Sequence, residues 1–206
     1  MGPAAPGPDG VGVPAGFVTA LAATDTPEGW RARKRDGGVV LEVPCGGVVA
    51  GGLSMPHSPR WYRDRLWVLE SGTGGLGFVD RTEGRYRSAA ELPGFTRGLD
   101  FCGDFAFVGL SQVRESAVFG GVPVAERAQQ ERCCGVWVVD LTTGRTAAFL
   151  RFEGAVQEVF GVRVLPGLRF PELVSDDPGL LAGTYDLPSS ALGDVPPGLR
   201  HGGAAT

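Results

Sequence analysis

The chain has 206 residues, 43% of them hydrophobic and 20% charged, an ordinary globular composition with length enough to bury roughly 70% of its unfolded surface. A net charge of -4, with no basic cluster beyond Arg31, Arg33, Lys34 and Arg35, argues against a nucleic-acid partner. Cys45, Cys102, Cys133 and Cys134 have neither CxxC spacing nor nearby histidines, which argues against a zinc site or disulfide framework and fits reduced thiols in a cytoplasmic protein.

Taken in chain order, residues 1–16 form a Gly/Pro-rich leader without the basic start or apolar stretch of a secretory signal, and it reads as disordered. Short apolar runs with strand character follow at Phe17–Leu21, Gly38–Val43, Arg65–Leu69, Leu76–Asp80, Phe105–Leu110, Gly135–Asp140 and Val162–Leu165. The 34 glycines point to many turns between them. The longest uncharged stretch, Val43–Pro59, is broken by Gly and Pro, so no membrane span is expected. Within an insertion at 112–132, the run Ala125–Arg132 holds good helix formers and predicts a short surface helix. Periodicity stops near Pro166, and 174–206 reads as an irregular, disordered tail. There is no Ile, no Asn and one lysine, so the arginine content reflects codon bias and carries no message about phosphate binding.

A repeat organises these runs. Asp64-Arg65-Leu66-Trp67-Val68 aligns with Asp104-Phe105-Ala106-Phe107-Val108 at an offset of 40, which also places Ser71 on Ser111 and His57 on Arg97. A second marker, Asp80 to Gly84 and Asp140 to Gly144, recurs at an offset of 60 across the insertion. Its aspartates read as turn formers that bond backbone amides, with Gly at the positive-φ position. A period of about 40 residues built from short strands predicts an all-β, β-propeller-like domain over 17–173. Three to four four-stranded antiparallel blades would leave the ring incomplete, and an incomplete ring exposes apolar faces that favour self-association.

Several strings carry a resemblance as well: ATDTPEGWRARK from Ala23, GLSMPHSPRW from Gly52, SGTGGLGFVD from Ser71, PGFTRGLDF from Pro93, VGLSQVRESAVFGG from Val108, RCCGVWVVDLTTG from Arg132 and LPGLRFPEL from Leu165. Over about Phe17–Leu173 the chain resembles a bacterial family of conserved hypothetical, propeller-like proteins that form a domain of unknown function. That resemblance implies a longer N-terminal part with a His-x-Asn-Gly segment, so this sequence reads as an N-terminally truncated member. More distantly it is similar to gluconolactonase-like and regucalcin-like propellers, which implies a divalent metal in a central channel.

First strands of successive blades line the channel, and the offsets put His57, Arg97 and Gln157 at one equivalent position. Three hydrogen-bonding side chains would converge there; the plainer alternative is a wet channel mouth. His57 suits a base or a metal ligand, and a carboxylate such as Asp25, Glu70 or Glu115 would have to approach it. Arg60 in the same string, Asp25 and Trp30 in the polar loop Thr24–Arg31, and Arg114 and Glu115 at the start of the insertion complete the candidate ligand-binding set. Ser71 and Ser111 lack the G-x-S-x-G elbow of a serine hydrolase. The expected function is binding of a small polar or anionic ligand, or of a protein partner, at the His57, Arg97, Gln157 face, with no cofactor evident. The alternative is a metal-assisted hydrolase or lactonase using His57 and an acidic neighbour.

Overall fold

The computed structural model describes residues 16–112, 120–128, 131–168, 171 and 178–182. The chain divides into two compact units, Met1–Val164 and Leu165–Thr206. The first holds three antiparallel sheets. One is three-stranded, in the order β1 (Gly16–Ala20), β2 (Gly38–Val43), β3 (Gly47–Leu53). The next is a four-stranded meander of β4 (Pro56–Tyr62), β5 (Arg65–Glu70), β6 (Gly75–Asp80) and β7 (Arg85–Glu91). The third repeats that order with β8 (Phe95–Cys102), β9 (Phe105–Ser111), β10 (Gly135–Asp140) and β11 (Thr146–Arg151).

The turns form as the sequence dictates. Asp80 Oδ1 accepts the N–H groups of Thr82 and Glu83 at 3.1 and 3.2 Å, and Asp140 Oδ1 those of Thr142 and Thr143 at 2.7 and 3.3 Å. Gly84 and Gly144 close these turns at φ 66° and 70°, a region open to glycine without steric cost.

Alternation along β5 explains why the middle sheet is apolar on both faces. Leu66 and Val68, with Val79 of β6, meet Val40, Ala50 and Leu53 of the first sheet. Trp67 and Leu69, with Leu76 of β6, meet Leu99, Ala106, Val108, Trp137 and Val139 of the third. Aromatic pairs bridge the same junctions: Phe17 stacks on Trp61 at 6.2 Å and Tyr62 on Phe101 at 4.4 Å between ring centroids.

The 40-residue offset survives at the level of strand register. Pro56 pairs with Glu70, Arg60 with Trp67, Trp61 with Leu66 and Tyr62 with Arg65. Adding 40 to each number gives the pairs Thr96–Leu110, Asp100–Phe107, Phe101–Ala106 and Cys102–Phe105 of the third sheet. Trp67 and Phe107 therefore occupy corresponding second strands.

Several expectations are corrected. The described residues form three sheets, within the three to four expected, but the first has three strands in place of four. Five strands lie outside the apolar runs read from the sequence: β3, β4, β7, β8 and β11. The run Val162–Leu165 is not a strand, because its backbone bonds elsewhere: the Val164 N–H donates to the Asp100 carboxylate at 2.9 Å. Among the described residues of the insertion is a 3-10 turn, Pro123–Glu126, which starts on the proline and buries Val124. The described part of Ala125–Arg132 does not extend it into an α-helix. In the second unit the Leu168 N–H donates to the Leu165 carbonyl at 3.3 Å, and the tail contains a five-residue helix, α1 (Pro178–Ala182). The leader up to residue 15 and most of 174–206 lie outside the described residues. No described helix is long and apolar enough to cross a membrane.

Candidate ligand-binding site at the strand bulges

The first strands of the second and third sheets each carry one extra residue. Pairing jumps between His57 and Arg60 on β4, and between Thr96 and Leu99 on β8, and a bulge of this kind re-aims the side chains beside it. The residues at the jumps, Ser58 and Gly98, are 40 apart and both left-handed, at φ 54° and 83°. They also touch, since the Gly98 N–H donates to Ser58 Oγ at 3.1 Å. The residues just before them, His57 and Arg97, are thus delivered to neighbouring places on adjacent first strands.

His57 is held by its inner nitrogen. Nδ1 lies 2.9 Å from the Met55 carbonyl oxygen and 2.9 Å from Ser71 Oγ. A carbonyl can only accept, so Nδ1 carries the proton and donates to both oxygens. Ser71 is fully buried, and its own hydroxyl donates to the Thr96 carbonyl at 2.6 Å. The pair is therefore not a nucleophile and its base: the serine proton points to Thr96 and the histidine proton to the serine. The ring meets Phe95 edge-on at 5.6 Å. Nε2 makes no hydrogen bond among the described residues. Burial, and secondarily the nearby Arg97 charge, hold the imidazole pKa below its usual value, against an opposing push from the Met55 carbonyl. The ring is accordingly neutral at pH 7, with Nε2 as an acceptor.

Arg97 enters no ion pair with a described carboxylate; its guanidinium lies over the Phe160 ring, 4.6 Å from the centroid. Phe160 reaches this place through a second repeated contact. As Ser71 donates to the Thr96 carbonyl, so Ser111, its counterpart 40 residues on, donates to the Val159 carbonyl at 3.1 Å and accepts the Val159 N–H at 2.9 Å. Val159, Phe160 and Gly161 consequently stand where Thr96, Arg97 and Gly98 stand one unit earlier. Close approach requires the glycine at 98: a Cβ there would sit 2.6 Å from the Val162 nitrogen.

The position equivalent to Arg97 is therefore Phe160, not Gln157. Gln157 lies three residues earlier, where its carbonyl accepts the Gln112 N–H at 2.9 Å. The correct offset is 63 rather than 60, and the shared Gly-Leu and Gly-Val pairs at 98–99 and 161–162 were the signal for it.

The remaining candidates scatter. Arg60 is exposed, and its Nε donates to the Leu99 carbonyl at 3.2 Å, which makes it a strut between β4 and β8. Trp30 packs on the cluster of Met55, Phe95, Val122 and Val124 with Arg31 over its ring at 5.5 Å, so it supports the floor beside His57. Asp25 is exposed in its loop. Glu70, considered as a partner for His57, instead accepts the Ser54 N–H at 3.0 Å and the Thr73 hydroxyl at 3.2 Å. Arg114 and Glu115 lie outside the described residues. Among the described residues no three His, Cys, Asp or Glu side chains gather as a metal-binding group.

Residues 12–174 match the family described as "Domain of unknown function (DUF4915)". The chain belongs to the DUF4915 family. That match spans all three sheets and the His57, Arg97 and Phe160 row, so the site lies inside the DUF4915 domain. No functionally curated protein matches the sequence. Among solved structures, the chain is similar to the computationally designed Ika4 protein, with 13% identity, a TM-score of 0.39, and 63% of this chain and 69% of that one covered. For the designed Ika8 protein the values are 11%, 0.31, 65% and 48%.

Proposed function

We propose that this DUF4915 chain is a non-catalytic binding module of propeller type, and that the bulge row of His57 and Arg97, backed by Phe160, takes a small anionic ligand. Consecutive four-stranded meanders in one register and cores on both faces of the middle sheet support the propeller reading. The observation that carries the ligand reading is Arg97: a guanidinium at a bulge, resting on an aromatic ring and paired with no described carboxylate, beside an imidazole whose outer nitrogen bonds no described residue. Arginine in that situation is a fork for a carboxylate or phosphate, and the aromatic stack fixes its plane. Among the described residues the geometry gives the catalytic alternatives no support, since Ser71 donates its proton to Thr96 and no described carboxylate is bonded to His57.

The test is a titration of the full chain with inorganic phosphate and with succinate, following the His57 ring resonances by NMR. Binding is expected to shift them, and Arg97→Gln is expected to abolish the shift while leaving the fold intact by circular dichroism. Unmoved His57 resonances with both anions at millimolar concentration would overturn the reading.

A further inference from the structure

The geometry points to a narrower ligand class at this site: a hydroxy carboxylate, whose carboxylate lies on the Arg97 guanidinium and whose hydroxyl donates to Nε2 of His57. The inference rests on the binding reading above and deepens it.

The argument is one of donors and acceptors. A fully ionised carboxylate such as succinate offers only acceptors, which suits Arg97, a group made entirely of donors. It does not suit His57. With the Nδ1 proton spent on the Met55 carbonyl and Ser71 Oγ, both at 2.9 Å, Nε2 presents a lone pair. That lone pair repels a bare oxyanion and is left unpaired by it, a costly outcome next to the buried Met55, Phe95 and Ser71. A ligand that satisfies both groups needs one donor and one anionic fork on the same small frame.

The tautomer is fixed by the fold, not chosen by the ligand. Ser71 cannot turn round to donate to Nδ1 without abandoning the Thr96 carbonyl at 2.6 Å, and the Met55 carbonyl has no proton to give. A site built to accept a hydroxyl proton discriminates against analogues that lack it, because the acceptor then loses its water and gains nothing. Phe160, 64% exposed beneath the guanidinium, offers an apolar surface for the carbon skeleton of such a ligand.

Malate and succinate separate this inference from the one it rests on, because they differ only in the hydroxyl. Calorimetry on the full chain at neutral pH is expected to give malate the tighter binding by about five- to tenfold, the equivalent of one neutral hydrogen bond. His57→Phe is expected to abolish the preference, so that malate and succinate bind with equal affinity, and Arg97→Gln to remove binding of both. Equal affinities in the wild-type chain sink the hydroxy-acid class and leave anion binding standing. Failure of both ligands, with phosphate also silent, sinks the two together; phosphate alone binding sinks only this one.

Discussion

His57 shows how one side chain's surroundings set a measurable property. Because burial lowers its pKa from 6.5, the unfolded chain binds a proton more readily than the folded one. Stability therefore falls as pH drops from about the unfolded value of 6.5 toward the lower folded pKa, and levels off below it. Denaturant titrations should show a steeper loss on mild acidification for the wild-type chain than for His57→Gln. Arg97→Gln should raise the imidazole pKa, read from an NMR titration, since it removes a neighbouring positive charge; a lower value would contradict the arrangement. Ser71→Ala should cost about 1–3 kcal/mol, because the Thr96 carbonyl loses its donor in a site closed to water. At this scale the sequence exposed His57 and Arg97, for a constant offset within an uninterrupted repeat is visible in numbering alone. It hid Phe160: the insertion disturbs the count, and no motif announces that a serine hydroxyl sets the register.

Strands were legible where both faces are apolar, as at Gly38–Val43 and Gly135–Asp140, which the structure reproduces residue for residue. They were missed where that signal is diluted. In β7 and β11 exposed residues predominate, while β4 and β8 carry the Pro, Gly and Ser that their bulges need. Those bulges supply a test at the level of the element. Gly98→Ala combines a φ of 83° with a blocked Cβ, whereas Gly103→Ala combines a φ of 54° with open space. At the position 40 residues before Gly103, Arg63 already holds a side chain at φ 48°. Urea unfolding should show at most about 1–2 kcal/mol lost for Gly103→Ala, the cost of a left-handed residue, and distinctly more for Gly98→Ala. Equal losses would mean that the 157–164 segment does not press on β8. Hydrogen exchange offers an independent check: the Val159 amide lies in no strand, yet its bond to Ser111 Oγ should protect it well above neighbouring loop amides.

In the first unit as a whole, the middle sheet is a shared wall. Leu66 and Val68 serve one core while Trp67 and Leu69 serve the other, so neither core can open without stripping a face of the same four strands. Trp67→Ala removes a ring that is 3% exposed, edge-on to Phe78 and tilted against Phe101, and tied through Nε1 to the Tyr62 carbonyl at 3.2 Å. It should cost about 3–5 kcal/mol and shift tryptophan fluorescence and far-UV dichroism transitions together; separate transitions would show that the two cores melt independently. The all-β class was readable at this scale because burial on two faces puts apolar residues on both sides of the inner strands, as at Leu66 to Leu69. The three strands of the first sheet were not, since outer strands leave little imprint on the sequence.

The serine contacts have a consequence for how such a chain can change over generations. Ser71 and Ser111 each grip the next segment by its main-chain carbonyl, and a carbonyl is the same whatever residue bears it. Threonine is held in one instance and valine in the other. A joint that ignores the side chain of its partner lets a whole unit be copied, lost or replaced by recombination without a matching mutation across the seam. The residue that follows the gripped one is then free to be arginine or phenylalanine, so the lining of the site can drift while the frame that presents it stays the same.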